Sequence, residues 1–153
     1  MNSQRILKIA KKVLKVESQA INQLIDKLND DFEKSIQAIL KCKGRIIILG
    51  MGKSGIIGKK IAATMSSTGT PSYFIHPAEA IHGDLGMITN NDIIILISNS
   101  GETSELIQLI SALKSKRVKI IGMIGNKGST LANQSDFNLD TSINEEACPL
   151  DLA

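Results

Sequence analysis

Two short, nearly continuous apolar runs, Arg45-Ile46-Ile47-Ile48-Leu49 and Ile93-Ile94-Ile95-Leu96-Ile97, each give way to a loop of small polar residues. Runs of this kind read as buried parallel strands, and the pattern that follows each loop is that of an amphipathic helix. The same alternation predicts further strands at Ser72–Ile75, Lys119–Ile124 and Phe137–Leu139. Helices are expected over 54–67, 103–115 and 130–134, with a short one at 78–85. Upstream, apolar positions at helical spacing predict helices over 3–28 and 31–42, separated by Asn29-Asp30, with Asp30 as N-cap of the second and Gly44 stopping it. Strand and helix alternate throughout the region after residue 44, so the expectation is an α/β fold, a parallel sheet covered on both faces. No internal repeat, linker or low-complexity stretch interrupts the pattern.

Composition narrows the function classes. A chain of 153 residues, 42% hydrophobic and 22% charged, fits one soluble globular domain with a real core. A net charge of +3, three Phe, one Tyr and no Trp argue against nucleic acid as partner. No apolar run approaches the ~20 residues a bilayer span needs, so no membrane segment is expected. Lys8, Lys11, Lys12 and Lys15 precede the first acid, Glu17, a pattern shared by transit segments and membrane-surface helices. The apolar set from Ile6 to Leu28 runs well past any cleavable segment, which favours a structural helix with a solvated basic face. Cys42 and Cys148 make neither a disulfide framework nor a zinc site, and reduced thiols in a cytoplasmic protein are expected.

The candidate chemistry lies in the two loops. Gly50-Met51-Gly52-Lys53-Ser54-Gly55 and Ser98-Asn99-Ser100-Gly101-Glu102-Thr103 both open a helix. Free backbone N–H groups and hydroxyls at a helix N-terminus favour an anion. Two such loops in one sheet point to a phosphate-bearing ligand at the carboxyl edge of the strands. A dinucleotide site would also want an acid closing the second strand, where Ile75-His76-Pro77 stands instead. A P-loop would need glycine at 47, which is isoleucine. The glycines also have a plainer reading, as residues that tighten a strand-to-helix turn. Glu102 and Glu105 fit dipole complement and capping as well as a working carboxylate. His76 and His82, the two histidines, each fit a hydrogen-bonded structural role, and with the nearby acids their spacing matches no standard zinc pattern. Glu145-Glu146 near the end fits a solvated acid pair.

Taken together, Gly50-Met-Gly-Lys-Ser-Gly, Ser66-Ser-Thr-Gly-Thr-Pro-Ser, His76-Pro, His82-Gly-Asp-Leu-Gly-Met, Ser98-Asn-Ser-Gly-Glu-Thr-Ser-Glu and Glu146-Ala-Cys-Pro-Leu closely resemble the sugar isomerase (SIS) domain of arabinose-5-phosphate isomerases. The resemblance covers essentially the whole chain, in order. It implies a flavodoxin-like three-layer sandwich with a five-stranded parallel sheet, a homo-oligomer (a tetramer), and a phosphosugar ligand, with no cofactor. The implied reaction interconverts ribulose 5-phosphate and arabinose 5-phosphate, feeding synthesis of the lipopolysaccharide sugar Kdo. Carried over by motif, Glu146 is the proton-transfer base, Lys53 the electrostatic stabiliser and Glu105 an orienting or auxiliary acid–base. Ser98, Ser100 and Thr103 hold phosphate, with Ser54 beside them; Gly69, Thr70 and His82 match substrate-contacting positions, and His76 matches a position linked with an inhibitory metal.

The sequence also departs from that family. Members continue with a Pro-Thr-Ser-Ser-Thr segment, an apolar helix, a Ser-His-Pro-Gly-Gly motif whose histidine is held to be catalytic, and commonly paired CBS domains. This chain ends at Ala153, with Asp151 where the family has glycine. The expectation is a single SIS domain over 1–153, with N-terminal helices over 1–43 and an α/β core over 44–153 incomplete at its C-terminus. A truncated or split gene follows from that reading, with binding favoured over full activity and with apolar sheet surface left uncovered. An active isomerase, a phosphosugar-binding module without turnover and a non-functional remnant are the three resulting hypotheses.

Overall fold

The computed structural model describes residues 3–148, so Asp151 and the Pro149-Leu150 end of the last motif lie outside the described residues. Helix α1 spans Ser3–Gln23, a 3-10 turn follows at Ile25–Lys27, and α2 spans Asp30–Leu40. The single helix expected over 3–28 is thus broken near its end. The tighter turn, with Lys27 N–H bonded to Leu24 O at 3.1 Å, keeps Leu24 and Leu28 at apolar spacing, so the pattern conceals the break. Asn29, rather than Asp30, caps α2. Its backbone is extended and its side chain accepts from Asp31 and Phe32 N–H at 3.0 and 3.3 Å. Asp30 is the first helical residue, where a negative charge complements the helix dipole.

The remaining elements are β1 (Ile46–Gly50), α3 (Gly52–Ser67), β2 (Ser72–Ile75), α4 (Pro77–Ile81), β3 (Ile93–Ser98), α5 (Ser104–Ser115), β4 (Lys119–Ile124), α6 (Thr130–Gln134) and β5 (Phe137–Asp140). The helix expected over 78–85 is divided, because Gly83 at φ +143° separates α4 from a 3-10 turn at Asp84–Met87. All five strands pair in parallel, in the order β2-β1-β3-β4-β5. This is the flavodoxin-like order. From β1 the chain goes to one side for β2, then crosses to the other for β3. The loops leaving β1 and β3 therefore flank a crevice at the carboxyl edge of the sheet, and the pairing of Gly50 with Ile97 sets their starts side by side.

Alternate residues of the strands feed two core layers. Ile47, Leu49, Ile94, Leu96, Ile120 and Ile124 pack with Leu106, Leu109, Ile110 and Leu113 of α5, Ala80 of α4, and Leu131 and Ala132 of α6. Ile46, Ile48, Ile93, Ile95 and Ile121 pack on the opposite face with Ala62, Ile61 and Met65 of α3 and with Ala38 and Ile39 of α2. Full burial of each such side chain contributes about 1.5–3 kcal/mol. The apolar strand runs are continuous because both faces are covered. Toward the carboxyl edge of the second layer the cover thins: Ile97 and Met123 are only partly buried, and Ile57 of α3 is exposed. Among the described residues no helix is long and apolar enough to cross a membrane.

Candidate active site

The β1 loop places α3 with its N-terminus at the crevice. Met51, extended at φ −101°, supplies no side-chain cap, and Gly52 turns the chain at φ +52°. A Cβ on Gly55 would meet the carbonyl oxygen of Gly50 at 2.6 Å, so glycine is what lets α3 seat against the end of β1. Lys53 is exposed and Ser54 half-buried on the first turn of that helix.

The β3 loop is held shut by its own hydroxyls. Ser98 is 3% exposed; its Oγ accepts from Gly101 N–H at 3.0 Å and pairs with Thr103 Oγ1 at 2.8 Å. The Ser98 hydroxyl thus makes two hydrogen bonds within its own loop. Ser100 is exposed, accepts from Glu102 N–H at 3.1 Å, and its own O–H has no acceptor among the described residues. Glu102 accepts from Thr130 N–H at 2.7 Å, so its carboxylate sits at the start of α6 rather than of α5. Gly101, at φ +68°, lies so close to Ser129 that a Cβ there would overlap its hydroxyl.

Glu105 accepts from Ser104 Oγ at 2.9 Å. Its carboxyl is held below the ordinary range by its own backbone N–H and by the Ser104 hydroxyl, against a smaller opposing effect of burial. His76 caps α4, its Nδ1 accepting from Ala78 N–H at 3.3 Å, which leaves Nε2 as the ring atom open to other partners. Among the described residues no group of three or more His, Cys, Asp or Glu is placed to hold a metal ion. His82 is exposed at the end of α4. Gly69 and Thr70 lie at the opposite edge of the sheet, beside Pro71, whose carbonyl accepts from Ile46 N–H. The 16 residues of α3 separate them from the β1 loop, a span of about 24 Å.

Glu146 arrives from far along the chain. After β5 the backbone turns back across the carboxyl edge and brings Glu146 to a cleft of about 310 Å³ that Lys53 and Ser54 also line. Asn99 and Thr141 complete its polar side; Ile57, Ile97, Ile143 and Ala147 form its apolar wall. Thus Lys53, Ser54 and Glu146 share one cleft, Ser100 and Thr103 sit on the adjoining loop with Glu105 on the first turn of α5, and Gly69 and Thr70 stand apart. Asn99 and Thr141 were missed by sequence reasoning. Asn99 lay inside a quoted motif, whereas nothing local marks Thr141.

A profile of the SIS domain matches residues 39–152. The chain belongs to the SIS-domain family. The profile begins within α2, so α1 precedes the part of this SIS protein that it covers. The chain is 49% identical over 144 residues to the arabinose 5-phosphate isomerase KdsD of Pseudomonas aeruginosa, and 50% identical over 143 residues to that of Yersinia pestis. Each alignment takes in 94% of this chain, which spans 44% of the length of either relative. Among solved structures, the Escherichia coli CFT073 protein c3406 in complex with arabinose 5-phosphate superposes with a TM-score of 0.93 at 40% identity, covering 100% of this chain and 81% of that one.

Proposed function

We propose that this SIS protein, taken as one unit over residues 1–153, is an aldose–ketose isomerase that interconverts arabinose 5-phosphate and ribulose 5-phosphate. The observation that carries the reading is the meeting of Lys53, Ser54 and Glu146 in one cleft at the carboxyl edge, beside the two loops suited to phosphate. The names of the relatives supply the substrate. Phosphate rests on the N-terminal turns of α3 and α5, with Ser54, Ser100 and Thr103 around it, while Ser98 shapes the loop. The Glu146 carboxylate takes the proton from C2 of the aldose. The released electron pair forms the C1–C2 double bond of an enediolate, and the Lys53 ammonium stabilises the charge arriving on the carbonyl oxygen. Return of the proton to C1, with the hydroxyl hydrogen moving from O2 to O1, gives the ketose. Glu105 orients the sugar or assists as acid–base.

Gly69 and Thr70 reach such a cleft only from another copy of the chain, which supports a homo-oligomer, a tetramer by family resemblance. The setting that goes with this chemistry is the cytoplasm and the supply of a lipopolysaccharide sugar. The test is thermal unfolding of the purified chain with and without arabinose 5-phosphate, followed by a turnover assay on the same sample. A transition raised by ligand together with turnover is the expected result. A raised transition without turnover marks a binding module, and no response to ligand overturns the reading. Glu146→Gln should lower turnover by roughly 10²–10⁴-fold while ligand still raises the transition.

A further inference from the structure

The segment that follows β5 is fixed by charged groups that the chemistry above does not use. Asp140, the last residue of β5, has a side chain only 6% exposed and stands 3.6 Å from Lys27 Nζ and 3.0 Å from Lys127 Nζ. Its Oδ1 accepts from Ser142 N–H at 2.9 Å, closing a turn just where the chain leaves the sheet. Lys27 comes from the 3-10 turn ahead of α2, 115 positions before Ser142, and donates to Ser142 Oγ at 2.6 Å and to the Ser142 carbonyl. Thr141, between them, donates its N–H to the carbonyl of Ile124 at 3.1 Å. Burial opposes ionisation of Asp140, but Ser142, Lys127 and Lys27 outweigh it and hold the carboxyl well below the usual carboxylate range. A part-buried ion pair is a poor source of stability, since desolvation offsets most of its attraction. What this one supplies is direction. Four residues beyond Ser142 lies Glu146, and neither Lys27 nor Asp140 lines the cleft itself.

We infer that Asp140 and Lys27 are positioning residues, which set the path of 141–146 so that Glu146 faces Lys53. The inference rests on the reading of Glu146 as the base. Its test has one readout that is independent of turnover. Cys148 stands two residues past Glu146, and Cys42 lies between α2 and β1 at the other edge of the sheet, so the two half-buried thiols report separately on this segment and on the fold. Labelling of both cysteines is followed in the full chain, in Asp140→Asn, in Lys27→Met and in Lys27→Arg, alongside kcat and KM for arabinose 5-phosphate.

In Asp140→Asn and Lys27→Met, Cys148 should label about tenfold faster with Cys42 unchanged, as the segment opens locally. Turnover should fall about 10²-fold at nearly constant KM, the cost of misplacing a catalytic group by about 1 Å. Lys27→Arg should restore both. Unchanged Cys148 labelling, equal acceleration of both cysteines in Lys27→Met, or faster Cys148 labelling with kcat intact would each overturn the inference. If the unaltered chain shows no turnover, the isomerase reading fails, and the ratio of Cys148 to Cys42 labelling still decides whether the pair positions the segment.

Discussion

Ser98 and Ser100 stand two residues apart in one loop, the first buried with its hydroxyl bonded inside the loop and the second exposed. Removing the Ser98 hydroxyl leaves the buried Gly101 N–H without its acceptor. Ser98→Ala should therefore lower stability by about 1–3 kcal/mol, read from thermal unfolding. Ser100→Ala should leave the melting transition in place and weaken binding of a phosphosugar by roughly 1–2 kcal/mol, read by titration calorimetry. Strand alternation could have separated the two, because Ser98 follows Leu96 on the face that packs against α5. Composition alone groups them together.

A second residue-scale consequence concerns acid. Asp92 is buried, and burial raises its pKa. The Arg45 guanidinium at 3.0 Å and the N–H groups of Thr89 and Arg45 outweigh that and bring it from 3.8 down to about 2. A carboxyl depressed by folding stabilises the fold at pH values above its unfolded pKa and loses that effect as the folded group protonates. Stability should decline as pH falls from about 4 to about 2, and Asp92→Asn should flatten that part of the curve in acid titration followed by circular dichroism.

At the scale of elements, β1 and α3 are coupled by the absence of a side chain. Gly55→Ala puts a methyl group against the Gly50 carbonyl at 2.6 Å and should destabilise by about 1–3 kcal/mol, measured by denaturant unfolding. The same substitution should shift Lys53 and so reduce turnover beyond its effect on stability. The glycine spacing that imitates a dinucleotide fingerprint is thereby accounted for by packing and by the turn at Gly52.

Strands were readable because parallel strands covered on both faces have no polar positions to interrupt them, as in Ile46–Leu49. Element ends were less readable. They depend on which residue takes the extended conformation, as at Asn29, and on backbone turns such as Gly83 that side-chain periodicity does not register. The cleft was legible only in halves. Lys53 announces itself on a marked loop, but Thr141 and Glu146 reach it through the sheet topology, from 88 and 93 positions further along.

For the whole molecule, the distribution of apolar surface bears on assembly. Ile6, Leu7, Ile9, Leu14 and Ile21 of α1 are exposed in the single chain, at 47%, 60%, 47%, 65% and 67%. The oligomer proposed from Gly69 and Thr70 would cover these exposed apolar side chains. The combined variant Ile9→Glu with Ile21→Glu should sediment as a smaller species than the unaltered chain and lose turnover with it. An unchanged sedimentation coefficient would take α1 out of the assembly.

The strand order has a bearing on synthesis. β1 lies inside the sheet, yet its two neighbours come later in the chain: Ile46 pairs with Ser72 and then with Ile93. On a ribosome elongating at about 5–20 residues per second, the 47 positions from 46 to 93 take roughly 2–10 seconds to make. During that interval β1 has β2 and the helices α2, α3 and α4 beside it, but not the strand that will pair along its other edge. Until β3 emerges, the edge of β1 that will pair with it is an unpaired strand edge, so polar substitutions in β3 should expose that edge to aggregation more than equal changes at the β5 edge.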